Sequence, residues 1–289
     1  MVTAMSRRVY FLVVVLALAC VALRSAVLPT LEAAPRPVPV AGSQRAQFVA
    51  TNNSYGEQAR CDAMHAHARQ YERLAAAGSW EELHCPHPLG FRPRAHVSQH
   101  VGTPCEAWIA RGIQYVLSRL LQNDMHALEW STGSSSRYYL FFVGSLHSIE
   151  HDPSWATEAQ QRIRADLTKE TITQWRLDAI GNTTAFTSGR GVDESEASFA
   201  AYVGARLERT AYDFVSVDGR ARSACLRRAW HQSLVAPGGL LLLDNSRRPQ
   251  YMQARQLFDS SPNWTSVEFH HEGMVDLEEV GSVLWCRLR

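Results

Sequence analysis

The stretch His126-Ala-Leu-Glu-Trp-Ser-Thr-Gly-Ser-Ser-Ser136, followed by Ser148-Ile-Glu-His-Asp152, predicts the fold of this chain. It has the pattern of a strand, a turn of small residues, a helix start and a second strand that ends at an acidic residue. Such a βαβ opening brings backbone N–H groups close to a ligand and places a carboxylate where ribose hydroxyls would lie. Glu129 and Glu150 are 21 residues apart, which suits this geometry. We interpret the stretch as the nucleoside-binding half of an α/β enzyme.

The bulk composition is that of a globular protein with ordinary charge. The chain has 289 residues, 46% of them hydrophobic, which is enough to bury a large core. The formal net charge is +1, so the chain lacks the large excess of positive charge that would indicate a nucleic-acid partner. Lys169 is the only lysine, which almost removes lysine as a candidate general base.

The N-terminal residues 1–24 have the pattern of a signal-anchor or a signal peptide. Arg7 and Arg8 precede 15 apolar residues at 9–23. This run is short for a membrane span of about 20 residues, but residues 25–31 could lengthen it. An uncleaved anchor with a lumenal body would make a single-pass type II membrane protein of the Golgi or endoplasmic reticulum. The alternatives are a secreted protein and a buried N-terminal helix.

Residues 25–106 separate this segment from the main domain. Residues 25–47 are rich in Pro and Ala and predict a stem, and residues 48–106 predict a helical extension. Three N-x-S/T triplets, at Asn52, Asn182 and Asn263, agree with a lumenal, glycosylated body. Cys61, Cys85 and Cys105 cluster before the main domain, and a pair among them could form a disulfide.

The rest of the chain alternates predicted strands and helices, and the strands are apolar enough to be buried on both faces. The predicted strands cover residues 127–131, 145–150, 171–177, 212–217, 240–243, 265–270 and 281–288. The predicted helices cover residues 58–82, 107–121, 135–142, 153–167, 198–209, 221–235 and 251–258, with a turn at 236–239. This pattern favours a Rossmann-like, seven-stranded, mostly parallel sheet over residues 107–289, with helices on both faces.

Four of these segments, in this order, resemble the class I S-adenosylmethionine-dependent methyltransferases. Residues 128–136 are similar to the family's first motif, which cradles the methionine part of the cofactor, and Ser148-Ile-Glu-His-Asp152 is similar to the second, whose carboxylate pairs with the ribose hydroxyls. Residues 214–222 and 236–245 are similar to the fourth and fifth strands and the turn between them. The resemblance implies S-adenosylmethionine as the cofactor. The implied cofactor-binding residues are Glu129, Ser131, Gly133, Ser135, Glu150, His151, Asp178 and Asp218.

The turn after the first strand departs from the family pattern. The family usually carries two or three glycines there, whereas this chain keeps only Gly133 and has Ser131 at the usual first glycine. A positive φ would cost serine more than glycine. The departure favours one alternative reading, a non-catalytic Rossmann-like binding module.

A second set of polar residues follows the fourth and fifth strands. This set resembles the Asp…Asp-Asn metal ligands of the catechol O-methyltransferase group, and it consists of Asp218, Asp244 and Asn245. The resemblance implies that these residues bind Mg²⁺. The alternative is that they belong to turns that end the two strands. The candidate catalytic residues are therefore Asp218, Asp244 and His151. No lysine follows Asp218, so the base would be His151, Asp152 or His231, or the metal would act alone.

The sequence therefore predicts a methyltransferase that modifies an oxygen nucleophile. Arg220, Arg222, Arg247 and Arg248 follow the two functional strand ends and could hold an acidic substrate, although a solvated basic rim explains them equally well. With the secretory pattern, a glycan hydroxyl or carboxyl is the expected acceptor. A metal-dependent enzyme acting on small phenols is the alternative enzyme.

Overall fold

The computed structural model describes residues 56–79, 107–166, 174–181, 198–270 and 281–289. The strands are β1 His126–Trp130, β2 Ser145–Glu150, β3 Trp175–Ala179, β4 Tyr212–Val217, β5 Val235–Asp244, β6 Trp264–His270 and β7 Gly281–Arg287. The helices are α1 Glu57–Ala76, α2 Arg111–Leu120, α3 Ser134–Leu140, α4 Pro153–Asp166, α5 Ala200–Val203, α6 Arg222–His231 and α7 Met252–Asp259, with a 3₁₀ turn at Pro249–Tyr251.

The seven strands form one sheet in the order β3-β2-β1-β4-β5-β7-β6. The pairs β1–β2, β1–β4, β2–β3 and β4–β5 are parallel, whereas β7 runs antiparallel to both β5 and β6. The predicted seven-stranded, mostly parallel sheet is confirmed. The chain reverses its direction of winding between β1 and β4, and open α/β sheets bind ligands at such a switch point.

Successive side chains of the central strands pack alternately into two hydrophobic cores, one on each face of the sheet. In β5, Leu240 and Leu242 pack on the side of α1, α2 and α3, while Leu241 and Leu243 pack on the side of α5, α6 and α7. All four leucines are fully buried, which explains why this strand is an unbroken apolar run. The predicted cover of helices on both faces is confirmed.

Helix α1 belongs to the same core as the sheet. Its residues Cys61 and Met64 are fully buried, and Tyr71 packs edge-on against Phe269 of β6 at 5.2 Å between ring centroids. Cys61 is joined to Cys286 of β7 by a disulfide that spans 225 residues of sequence. Packing of α1 on the sheet brings Cys61 beside β7, so Cys61 does not pair with Cys85 or Cys105, and a bond between those two stays a prediction.

Several element bounds differ from the prediction, among them those of β3, α5 and β5. Strand β3 begins later than predicted and ends at Ala179, so the strand includes Asp178. Helix α5 has only four residues, since the chain leaves the helix at Gly204. The turn predicted at 236–239 lies inside β5, where the pairing with β4 shifts and Gly238 takes a positive φ of 70°. A strand can absorb such an interruption as a bulge.

Several predicted features lie outside the described residues: the apolar segment at 9–23, the stem at 25–47, Asn52, Cys85, Cys105 and Asn182. Asn263 is exposed in the turn before β6. In the part of the chain that is described, no helix is both long enough and apolar enough to cross a membrane.

Candidate active site

The ends of β1 and β4 meet at the carboxyl edge of the sheet, where open α/β folds bind ligands, and this edge is called the crevice below. The backbone N–H groups of Asp218 and Gly219 both donate to the carbonyl oxygen of Trp130, at 3.2 and 2.8 Å. These bonds hold the first turn after β4 against the last residue of β1. The crevice therefore lies at the switch point, where the fold positions ligands.

The turn after β1 holds two residues in unusual backbone conformations. Ser131 has φ 148°, and its N–H donates to the carbonyl of Ile149 in β2 at 2.8 Å. Gly133 has φ 159°, and its N–H donates to Oγ of Ser136 at 2.8 Å. Among the described residues, a Cβ added to Gly133 would meet only Trp155, at 3.7 Å, so these residues leave space above the turn. Ser135 is buried in the first turn of α3.

Backbone strain is concentrated at the carboxyl edge. Among the non-glycine residues described, four have positive φ, and three of them directly follow or closely follow parallel strands: Ser131 after β1, Ala221 after β4 and Asn245 after β5. The values for Ala221 and Asn245 are 47° and 50°. Such conformations cost of order 1–3 kcal/mol each and collect at functional sites. Their placement marks this edge as the site.

Glu129 is a fully buried carboxylate one residue before the end of β1. Its Oε2 accepts a hydrogen bond from Ser148 Oγ at 2.8 Å, and Trp175 donates to the same hydroxyl at 2.9 Å. Its Oε1 is buried and has no hydrogen-bond partner among the described residues. Burial raises the pKa of Glu129 to about 8, and the hydroxyls of Ser136 and Ser148 offset only part of that rise. The site thus contains an acid that a cationic ligand would ionise.

Glu150 ends β2 beside this turn, with 1% of its surface exposed. Its Oε1 accepts from the N–H of Asp152 at 2.9 Å and lies 2.6 Å from Nδ1 of His151. The His151 ring packs edge-on against Phe199 and Tyr202, with centroids 5.6 and 5.5 Å away. The fold therefore places Glu150 and His151 together on the α5 side of the crevice.

Both carboxylate oxygens of Asp178 are hydrogen-bonded to neighbouring side chains. Its Oδ2 is 2.9 Å from Nε2 of His147, and Arg176 donates to both of its oxygens at 2.9 and 2.8 Å. Burial alone would raise the pKa of Asp178, but these hydrogen bonds lower it below its ordinary value. Both oxygens of Asp178 therefore already have partners in the protein. The expected contact of Asp178 with adenine stays a prediction.

Arg222 joins the predicted carboxylates at the ends of β4 and β5. Its Nη2 is 3.1 Å from Oδ1 of Asp218, and its Nη1 is 3.4 Å from Oδ2 of Asp244. The guanidinium also donates to the backbone carbonyls of Gly219, Asp218 and Asp244. The other oxygen of Asp244 accepts from Ser282 Oγ at 2.7 Å. Burial, and then the charge of Asp244, raise the pKa of Asp218 well above its ordinary value, while Arg222 opposes the rise.

This arrangement does not fit the divalent cation that the Asp…Asp-Asn pattern implied. A cation bound between Asp218 and Asp244 would have to displace a guanidinium that makes contacts with both. Asn245 turns the chain away from β5 at φ 50°, and its carbonyl accepts from the N–H of Arg248 at 3.2 Å. Within the described ranges, no group of three or more His, Cys, Asp or Glu side chains is placed to hold a metal ion.

The positions of the remaining candidate residues show what each of them contacts. Asp152 caps α4, accepting from the N–H groups of Ser154 and Trp155 at 2.8 and 3.2 Å. His231 is exposed at the last residue of α6, about 13 Å along the helix from Arg222, so it cannot serve this crevice as a base. Arg247 pairs with Glu268 at 3.2 Å.

Two site features were missed in the sequence. Arg222 was considered for binding an acidic substrate or as part of a solvated rim, whereas the structure pairs it with Asp218, four residues earlier in the chain. Gly219 was not singled out in the sequence. A Cβ there would lie 2.9 Å from the carbonyl oxygen of Trp130, so the close approach of β1 and β4 requires glycine.

The fold and this edge define a doubly wound α/β protein with an acidic ligand crevice. No family model and no curated protein matches the chain. Among solved structures, it is similar to the O-methyltransferase TomG from Streptomyces achromogenes in complex with S-adenosylmethionine, at 18% identity and a TM-score of 0.41 over 58% of this chain and 74% of that one.

Two further solved structures are similar at comparable levels. One is an O-methyltransferase from Bacillus cereus in complex with S-adenosylhomocysteine, at 15% identity and a TM-score of 0.39 over 56% of this chain and 74% of that one. The other is an rRNA methylase from Streptococcus thermophilus, at 8% identity and a TM-score of 0.41 over 60% of this chain and 92% of that one. At such low identities and TM-scores, the likeness by itself assigns no activity to this chain.

Proposed function

We propose that this protein transfers a methyl group from S-adenosylmethionine to an oxygen acceptor. The observation that carries the proposal is the pair of buried carboxylates, Glu129 and Glu150, on adjacent parallel strands beside the open turn at Gly133. The motifs resemble those of class I methyltransferases, and the solved structures similar in fold include methyltransferases with that cofactor or its product bound.

The residues of the crevice suit the two ends of this cofactor. Glu150 would accept hydrogen bonds from the ribose hydroxyls, since it ends β2 and is held in place by the N–H of Asp152. Glu129 has a buried oxygen without a partner among the described residues, and the methionine end of the cofactor is cationic. Ser131, Gly133 and Ser135 would line this end of the cofactor, with the N–H groups of Ser131 and Gly133 already bonded to Ile149 and Ser136. Bound there, the cofactor supplies an electrophilic methyl group.

Asp218 is the base that the geometry favours. Its side chain is 15% exposed, whereas that of Asp244 is 5% exposed and has partners on both oxygens. The raised pKa of Asp218 brings it closer to the pH at which an acid–base catalyst works well. In this scheme Asp218 accepts the proton of the acceptor hydroxyl, and Arg222 and Asp244 hold Asp218 at the crevice. His151 is the alternative base.

The protein acts in the lumen of the secretory pathway in this proposal, anchored by the apolar segment near its N-terminus or secreted. The Cys61–Cys286 disulfide supports it, since structural disulfides persist in oxidising compartments. A glycan hydroxyl or carboxyl is the proposed acceptor, and no nucleic acid is involved. The metal-dependent phenol enzyme is less well supported, because Arg222 fills the space that its metal would need.

The test is calorimetric titration of the full chain with S-adenosylmethionine. We expect saturable binding at one site, and we expect Glu150→Ala to weaken it at least tenfold, because a hydrogen bond to a charged group is worth about 1.5–3 kcal/mol. Glu158→Ala is the control, since Glu158 is exposed and, within the described ranges, forms its ion pair with Arg162 on α4. An absence of binding would favour the non-catalytic module that Ser131 suggests.

A further inference from the structure

Tyr202 carries a buried hydroxyl that the proposed mechanism does not use. The residue lies in α5, and 1% of its surface is exposed. Its hydroxyl is buried and has no hydrogen-bond partner among the described residues. Burial also raises its pKa well above the ordinary value, so the group is a neutral O–H donor. A buried donor without an acceptor destabilises a protein, and such groups usually have a functional explanation.

The position of this hydroxyl is fixed by Gly219. A Cβ added to Gly219 would lie 2.3 Å from the Tyr202 hydroxyl oxygen and 2.9 Å from the carbonyl oxygen of Trp130. The hydroxyl therefore occupies the space that any side chain at position 219 would need. Because Gly219 follows Asp218 and is bonded to Trp130, the hydroxyl lies at the ends of β1 and β4.

The neighbours of Tyr202 indicate which part of a ligand it would meet. Its ring packs edge-on against His151 at 5.5 Å, and His151 lies next to Glu150, the proposed partner of the ribose hydroxyls. Phe199 completes the group, 6.1 Å from the Tyr202 ring. Tyr202 is thus on the Glu150 side of the crevice, with the rings of His151 and Phe199 packed against its own ring.

We propose that the Tyr202 hydroxyl donates a hydrogen bond to the adenosine half of the bound cofactor. The inference rests on the proposed function, and it adds a binding residue that no motif indicated. It accounts for two features together: the hydroxyl without an acceptor and the glycine at 219 that makes room for it. The ligand supplies the acceptor that the described protein residues do not.

The test is Tyr202→Phe, which removes the hydroxyl and little else. Since that hydroxyl has no partner in the protein, the variant without ligand should melt at the same temperature as the wild type or higher. With S-adenosylmethionine, its dissociation constant should rise about tenfold, the effect of one well-placed hydrogen bond. Both quantities come from thermal unfolding and calorimetric titration of the full chain.

Tyr115→Phe is a matched control. The Tyr115 hydroxyl is also buried without a partner among the described residues, but Tyr115 belongs to α2 on the opposite face of the sheet, beneath the guanidinium of Arg119. This variant should match the melting behaviour of Tyr202→Phe and bind the cofactor as the wild type does.

Four outcomes would overturn the inference. If the cofactor affinity of Tyr202→Phe is within twofold of the wild type, the hydroxyl does not contact the cofactor. The same conclusion follows if Tyr202→Phe and Tyr115→Phe weaken cofactor binding equally. A lower melting temperature for Tyr202→Phe would mean that the hydroxyl already has a partner in the protein. If the wild type itself binds no cofactor, the proposed function fails first, and the contact fails with it.

Discussion

Replacing Glu129 with glutamine should make this protein more stable at alkaline pH and less able to bind its cofactor. Glutamine keeps the shape of the side chain and can still accept the hydrogen bond from Ser148, but it carries no charge to bury. The wild-type carboxyl must either stay protonated or ionise inside the core. The two proteins should therefore differ little at low pH and increasingly as the pH rises.

The size of the effect follows from the pKa. Glu129 has a folded-state pKa of about 8 against an ordinary value of 4.5, so the folded protein binds this proton more tightly than the unfolded chain. Its contribution to stability is complete below pH 4.5 and is lost as the pH rises to about 8. At about 1.4 kcal/mol per pH unit, Glu129→Gln should gain about 4 kcal/mol over the wild type between pH 5 and pH 8.

Urea unfolding at pH 5, 6.5 and 8 measures this gain, with Glu158→Gln as a control for the loss of an exposed carboxylate. Calorimetry at the same pH values should show weaker S-adenosylmethionine binding by Glu129→Gln, because the cationic end of the cofactor loses its counter-charge. Parallel stability curves for the wild type and Glu129→Gln would refute the reasoning, since a buried acid with a raised pKa must produce a slope.

Three further perturbations test other parts of the structure. Ser131→Gly should raise the free energy of unfolding by about 1 kcal/mol and tighten cofactor binding, because glycine accepts a positive φ with less strain; a loss of stability in urea would contradict this. Replacing Cys61 and Cys286 with serine should lower the free energy of unfolding by up to about 5 kcal/mol for a loop of 225 residues, and the reduced wild type should unfold like the variant. Excess chelator should leave methyl transfer unchanged, because Arg222 already neutralises the strand-end carboxylates; activity lost with chelator and restored by Mg²⁺ would show that Arg222 moves aside.

Much of the fold could be predicted because each strand carries its own signal. A parallel strand covered on both faces must be apolar throughout, so the run at 240–243 identified β5 without knowledge of its neighbours. The ends of strands are marked by polar residues, and the carboxyl ends of parallel strands share one edge. That rule placed Glu129, Glu150, Asp218 and Asp244 at the same edge.

The bounds that were missed depend on contacts rather than on local pattern. Residues 236–239 have the composition of a turn, yet β4 and β5 continue their pairing around them with a shift of register. Helix α5 ends at Gly204 although the apolar spacing of Phe199, Tyr202 and Val203 continues to Leu207. Tertiary packing determined where these elements end, because propensity is a weak guide over a few residues.

The sequence by itself determined the class of fold and the acidic edge, because apolar periodicity and strand-end residues are local properties of the chain. Only the tertiary structure decided what those residues touch. It set Arg222 between Asp218 and Asp244, where the sequence had left a choice between a metal site and strand-ending turns, joined Cys61 to Cys286, and brought the Tyr202 hydroxyl over Gly219. Each of these contacts joins different elements, and the order of strands in the sheet and the packing of helices on it control which side chains meet.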